Sequence, residues 1–342
     1  IVRMGMDYFQ SKRYLDTLDD WERGGTVAGR PEDYLPRIAA LLRRLENPEA
    51  KFASIVISGT NGKGTVSSLL AALLSAFGKR VGLYTSPHLH TIRERIQVDG
   101  VAVAKELWAA EVTRFYEKSR DFEREGVGPF SKFEALTAIA ADLFAREGVD
   151  YGVFEVGLGG RFDATNSMDA DLAVLTTIDI DHAEVLGHTL GEIVSEKFQI
   201  SRSGKPLFTT EAQPDEALDR IRELGTQLGV PIYVCGQNGV TGPDGSLPAS
   251  FPGDLRFLDR PATFHQNARL AAAVAQHLLG PTFRDGVALD AIRSHAWPGR
   301  FEIVRKVPWI LLDGAHNPAA ARMLVKDLRA VSEKWRFVVG VN

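Results

Sequence analysis

The chain has one cysteine among its 342 residues, Cys235, so no intramolecular disulfide can form. That is the usage of a reducing cytoplasm. Also lacking is any apolar run near the roughly 20 residues that a bilayer span requires. Residues 1–20 are amphipathic and mixed in charge, without the apolar stretch of a signal peptide. Neither sign of charge dominates: 40 Lys and Arg face 44 Asp and Glu, a formal net charge of −4. This argues against a polyanion-binding surface but leaves room for a local phosphate site. Repeats and low-complexity tracts are missing as well. What is present is ordinary for a protein that buries a core: 44% hydrophobic and 25% charged residues, which excludes a disordered or collagen-like chain. A soluble cytoplasmic protein is expected, with no membrane and no nucleic acid among its partners. At roughly 100–200 residues per domain, the length predicts one large and one small domain.

Hydrophobic spacing predicts helices over 7–22 and 32–45, then a short β-branched strand over 52–57 and an Ala- and Leu-rich helix over 65–77. Strands at 81–84, 151–156, 172–177, 206–209 and 231–235 alternate with helices at 104–124, 132–146, 189–200 and 215–228. This βαβ succession predicts a doubly wound α/β sheet with helices on both faces. Residues 236–261, rich in Gly and Pro, read as a turn-rich excursion with a hairpin. Helices follow at 267–279 and 288–295. Trp297-Pro298-Gly299-Arg300 then punctuates the chain, so the boundary is expected at 297: a P-loop-type domain over 1–296 and a smaller Rossmann-like α/β domain over 297–342. That second domain reads as a strand over 309–313, a helix over 318–332 and a strand over 336–341. The sequence starts without Met and stops on its last strand, so this domain is expected to be incomplete as given.

Three strand ends carry chemistry. Ser58-Gly59-Thr60-Asn61-Gly62-Lys63-Gly64-Thr65 lies between a strand and a helix; its glycines let backbone N–H groups turn toward an anion, and the helix adds its dipole. Lys63 would neutralise β/γ-phosphate charge and the Thr65 hydroxyl would ligate Mg²⁺. The spacing is not that of a strict P-loop, because Gly64 separates Lys63 from Thr65. Glu155 ends the strand 151–156, where open α/β sheets bind ligands, and an acid there is costly without a partner. Asp163, in the loop beyond, is read equally as a turn residue. His182, in Asp179-Ile180-Asp181-His182, is a metal-ligand candidate beside Glu155. Ser86 offers a further oxygen at the same sheet edge, whereas His188 reads as structural. Asp313 and His316 would face the space between the domains, with Asn317 capping a helix that starts at Pro318. Arg300 could clamp a nucleotide from the hinge.

Taken together and in this order, these motifs resemble the Mur ligase superfamily, and more closely the folylpolyglutamate synthase/dihydrofolate synthase family. The matching segments are Gly59–Thr65, Thr85-Ser86-Pro87-His88-Leu89, Glu94-Arg95-Ile96, Phe133-Glu134-Ala135-Leu136-Thr137, Glu155–Asn166, Asp181-His182, Pro298-Gly299-Arg300 and Asp313–Pro318. The resemblance implies an ATP- and Mg²⁺-dependent ligase, working as a monomer, that joins a folate or dihydropteroate carboxylate to the amine of L-glutamate through an acyl phosphate. It implies ATP contacts from Gly59, Thr60, Asn61, Gly62, Lys63, Gly64, Thr65, Asn267, Arg300 and Asp313. One metal would sit by Thr65 and a second on Ser86, Glu155 and His182. Folate contacts are implied for Phe133, Phe162, Asp163 and Ala164. Lys63 and His316 would act in catalysis, together with Lys197 at the place of a lysine that the family carbamylates. Phe198 and Gln199 stand where the family usually has Ala and Gly. Two other readings remain open from the residues themselves: a Mur-type ligase acting on a UDP-muramyl precursor, and a P-loop nucleotide-binding regulator without ligase activity.

Overall fold

The computed structural model describes residues 5–20, 30–122, 128–243, 260–332 and 334–340. Strands β1 (Ala53–Ser58), β2 (Val81–Tyr84), β3 (Ile96–Val98), β4 (Val101–Ala102), β5 (Tyr151–Glu155), β6 (Leu172–Leu175), β7 (Leu207–Thr210), β8 (Ile232–Gly236) and β9 (Gly239–Thr241) form one sheet. Its order is β4-β3-β2-β5-β1-β6-β7-β8-β9. The six strands from β2 to β8 in this order pair in parallel, and the antiparallel β3–β4 and β9 close the two edges. Helices α1 (Tyr8–Asp16), α2 (Pro31–Arg44), α4 (Lys105–Ser119), α5 (Lys132–Glu147), α7 (Leu190–Phe198) and α8 (Asp215–Leu228) pack on one face. Helices α3 (Lys63–Ala76), α9 (Ala262–Leu279) and α10 (Asp285–Ser294) cover the other, and the short α6 (Ala183–Leu186) lies in the loop after β6.

The two-residue period of a strand explains why the central strands read as unbroken apolar runs. In β1, Val56 enters the core under α5 while Ile55 and Ile57 enter the core under α3. In β5, Phe154 and Val153 divide in the same way. Strands buried on both faces leave a polar residue only at their ends, and there the register sets Glu155 beside Ile57, one residue before Ser58 and the glycine loop.

The expected doubly wound α/β sheet is present, with differences at its margins. The edge strands β3 and β4 were too short to give a periodic signal. Helix α9 starts at Ala262 rather than 267, because Thr263 to Gln266 carry little apolar periodicity. The turn-rich stretch does contain a hairpin, β8–β9, and its residues 244–259 lie outside the described part. Beyond Trp297 the chain departs further from the reading. Strand β11 (Trp309–Leu312) pairs antiparallel with β10 (Glu302–Lys306), and helix α11 (Pro318–Val331) follows. The expected strand over 336–341 does not form within 336–340; Val338 is fully exposed there, and among the described residues no neighbouring strand meets its backbone groups. Among the described residues no helix is long and apolar enough to cross a membrane.

Candidate active site

The glycine loop owes its path to two contacts that only glycine permits. Gly59 has φ +147° and an added Cβ would stand 1.9 Å from Thr176 Oγ1. Gly62, at φ +92°, is the N-cap of α3 and would put a Cβ 2.8 Å from Asn267 Oδ1. No side chain caps α3, so its first-turn N–H groups and the positive end of its dipole face the cavity beyond. The loop is pinned to the sheet by Thr60 and Asn61 N–H groups donating to Thr177 O. This cavity, of about 740 Å³, is bounded by the loop, the ends of β2, β5 and β6, helix α9, and the segment from Arg300 to Asp327.

Four of the ionisable side chains that line it are Lys63, Glu155, Lys197 and Arg300. Lys63 turns back on its own loop, with Nζ donating to Gly59 O at 3.0 Å and Thr60 O at 3.1 Å. Burial pulls its pKa down, and Glu155 and Asp181 oppose that shift. Glu155 accepts the Ser86 N–H at 3.1 Å. Its pKa is raised by burial, against the pull of Lys63 and the Ser86 N–H. Lys197 is buried, with Nζ donating to Gly59 O at 2.9 Å. Desolvation, helped by the nearby Lys63 charge, lowers its pKa to about 7. Arg300 bears electrostatically on both Lys63 and Glu155, and its Nη1 lies 2.0 Å from where a Cβ on Gly314 would be.

Of the residues picked out from sequence, Gly59 to Thr65, Ser86, Glu155, His182, Lys197, Asn267, Arg300, Asp313 and His316 all line this one cavity. Asp313 also organises its own turn, accepting from Phe301 N at 2.7 Å and Ala315 N at 2.8 Å. His316 Nδ1 pairs with Gly314 O at 2.8 Å. His182 sits half-exposed at φ +49°. Phe133, Phe162, Asp163 and Ala164 do not line the cavity. Asp163 is buried beneath the 157–159 loop, taking N–H groups from Gly157, Leu158 and Thr165 and the Thr165 hydroxyl. Phe133 packs under the same loop, its ring 2.7 Å from where a Cβ on Gly157 would be. These two therefore shape the cavity wall from behind.

Four further residues contribute in ways that sequence reasoning does not show. Asp181 was passed over for its neighbour His182, yet its charge supports both Lys63 and Lys197. Asn317 does cap α11, accepting from Ala320 N at 2.8 Å, and it also donates to Asn61 Oδ1 at 3.1 Å and Asp181 Oδ2 at 2.8 Å. It thus ties the helix to two sheet-edge loops. Thr263 and Asp327 meet across the cavity between α9 and α11; an acid on an amphipathic helix gave no signal of this.

No family model matches the chain. A Bacillus subtilis dihydrofolate synthase/folylpolyglutamate synthase is 35% identical over 310 residues, which is 86% of this chain and 72% of that protein. A solved FPGS–AMPPCP–folate complex superposes with a TM-score of 0.82 at 25% identity, covering 96% of this chain and 82% of the other. The Mycobacterium tuberculosis folylpolyglutamate synthase complexed with ADP gives 0.80 at 29% identity, covering 94% and 73%. A glycine loop, a buried acid and two lysines on one sheet edge, in a chain with these relatives, lead to one conclusion: the chain belongs to the dihydrofolate synthase/folylpolyglutamate synthase family of ATP-dependent ligases.

Proposed function

We propose that this chain forms an amide between a folate or dihydropteroate carboxylate and the amine of L-glutamate at the expense of ATP. A carboxylate oxygen attacks the γ-phosphorus and ADP leaves. The amine then attacks the acyl carbon, phosphate leaves, and the amine gives up a proton. Both steps bring anions together, so fixed positive charge in a partly dehydrated cavity is the main catalytic resource. The observation that carries this reading is the convergence of Lys63, Lys197 and Arg300 with Glu155 around one cavity at the open N-terminus of α3. Lys63 would leave its loop carbonyls for the phosphates, and Arg300 and His316 would meet them from the far wall. Residues 297–342 make the second unit, and its approach would exclude water.

The oxygen donors of Thr65, Ser86 and Glu155 suit Mg²⁺, a hard cation that keeps few protein ligands and completes its shell with phosphate oxygens and water. His182 lines the same cavity, beside Asp181. Bound there, the ion would neutralise phosphate charge. Lys197 also fits the family's carbamate: a pKa of about 7 leaves much of its amine neutral at neutral pH, and only the neutral amine adds to CO₂, releasing a proton. The product is an anion beside Lys63, which replaces a repulsion by an attraction.

The test is a product assay with ATP, Mg²⁺, labelled glutamate and either dihydropteroate or tetrahydrofolate. One glutamylated product per ADP is expected with at least one acceptor. Nucleotide binding without product from either would overturn the ligase reading. Glu155→Ala should keep nucleotide binding and lose amide formation.

A further inference from the structure

We infer that Asp327 is a positioning residue for the nucleotide half of the cavity: from α11 it caps the N-terminus of α9 and so holds Asn267 against the glycine loop. The inference rests on the reading of this cavity as a nucleotide site. Helix α9 has no cap of its own. Its N-cap is Pro261, no side chain of the N-cap reaches the first-turn amides, and the first turn carries no acid. An 18-residue helix left so would have orphaned N–H groups and an unopposed dipole at the cavity wall.

Asp327 supplies what is missing. Its carboxylate accepts from the Thr263 hydroxyl in the first turn of α9, and while burial raises its pKa, that hydroxyl and the Ala262 and Thr263 N–H groups favour its charged form. It is 4% exposed and, with Ala319 and Leu328, is one of only three buried residues of α11. A buried carboxylate is expensive unless its lone pairs are used, so the deepest polar anchor of α11 is committed to the end of α9. One helical turn beyond Thr263, Asn267 Oδ1 lies 2.8 Å from where a Cβ on Gly62 would stand. Thr263, Asn267 and Asp327 all line the cavity. At the other end of the same helix, Asn317 grips Asn61 and Asp181. Helix α11 therefore touches the glycine loop twice, directly through Asn317 and through α9 by way of Asp327.

The experiment is calorimetric titration of ADP into the 342-residue chain and its variants, with thermal melting measured alongside. Asp327→Ala should weaken ADP binding about tenfold, and Asp327→Asn, which keeps an acceptor oxygen but no charge, about threefold. In an Asn267→Ala background, Asp327→Ala should cost less than about twofold more, because the route through Asn267 is already cut. A residue that merely docks α11 would show no such coupling. Equal losses in the two backgrounds, or undiminished ADP binding by Asp327→Ala, would overturn the inference. Should Asp327→Ala not fold, Thr263→Val tests the same contact, with about a threefold loss expected and an unchanged affinity counting against it. If the unmodified chain fails to bind ADP, the nucleotide reading itself falls instead.

Discussion

Phe154, in the middle of the nine-stranded sheet, is fully buried against Phe52, Tyr84 and Phe144. Val307, between the two strands of the β10–β11 hairpin, is 86% exposed, and Val304, Leu312 and Phe337 are also open to solvent. The two regions are held by different forces. Apolar burial on both faces of the sheet fixes the body. The segment beyond Trp297 meets the body largely through polar contacts: Asn317 to Asn61 and Asp181, Arg322 to Asp179, and Asp327 to Thr263. Apolar contacts resist displacement roughly in proportion to area, whereas polar contacts exchange readily for water. The body thus carries most of the apolar burial, and the C-terminal segment is attached by contacts that cost less to exchange. Stability is concentrated in the body, while the cavity takes residues from both regions.

Three substitutions would break or sharpen that division. The largest effect is expected from Phe154→Ala, which removes the centre of the aromatic cluster and should cost about 3–5 kcal/mol in urea unfolding; a loss under about 1 kcal/mol would mean that the sheet core is not the source of stability. Next comes Lys197→Met, inside the body but at the site. Lys197 titrates near 7 when folded, well below its ordinary value, so the unfolded chain binds more protons between that pH and the unfolded pKa of about 10.4. The penalty is full below about pH 7 and disappears as pH rises toward the unfolded value. In CO₂-free buffer, where Lys197 stays an amine, the variant should therefore gain stability at pH 7, on the order of a few kcal/mol less the lost Gly59 hydrogen bond, and the gain should shrink toward pH 10; ligation should be abolished in any buffer. A pH-independent difference in denaturation midpoints would refute this. The smallest effect belongs to Arg300→Ala, in the polar segment: about tenfold weaker ATP binding, or 1.4 kcal/mol, with melting unchanged. A fall in melting temperature comparable to that of Phe154→Ala would erase the distinction between the regions.

How much of this was legible in the sequence follows the same division. Strands buried on both faces announce themselves as β-branched runs, so β1, β5 and β6 and the acid that ends β5 could be placed from sequence. Lys63 was legible because a glycine-rich turn between strand and helix has few other uses. Lys197 was not legible from composition; its perturbation comes from burial by elements distant in sequence, and secondarily from Lys63, and only the family resemblance singled it out. Strand β10, Glu302-Ile303-Val304-Arg305-Lys306, is half polar and gave no strand signal. Asp327 is hidden for a related reason: its partner is the end of a helix 64 residues earlier, and no local pattern encodes that meeting.

One loop carbonyl, that of Gly59, accepts from both Lys63 and Lys197. An arriving phosphate has to win Lys63 from two internal oxygens, so a single weak anion gains little by entering, while a polyphosphate that engages the helix amides at the same time can meet the cost. A polyphosphate is therefore expected to bind better than free phosphate, by an amount that the hydrogen bonds to one backbone oxygen help to set.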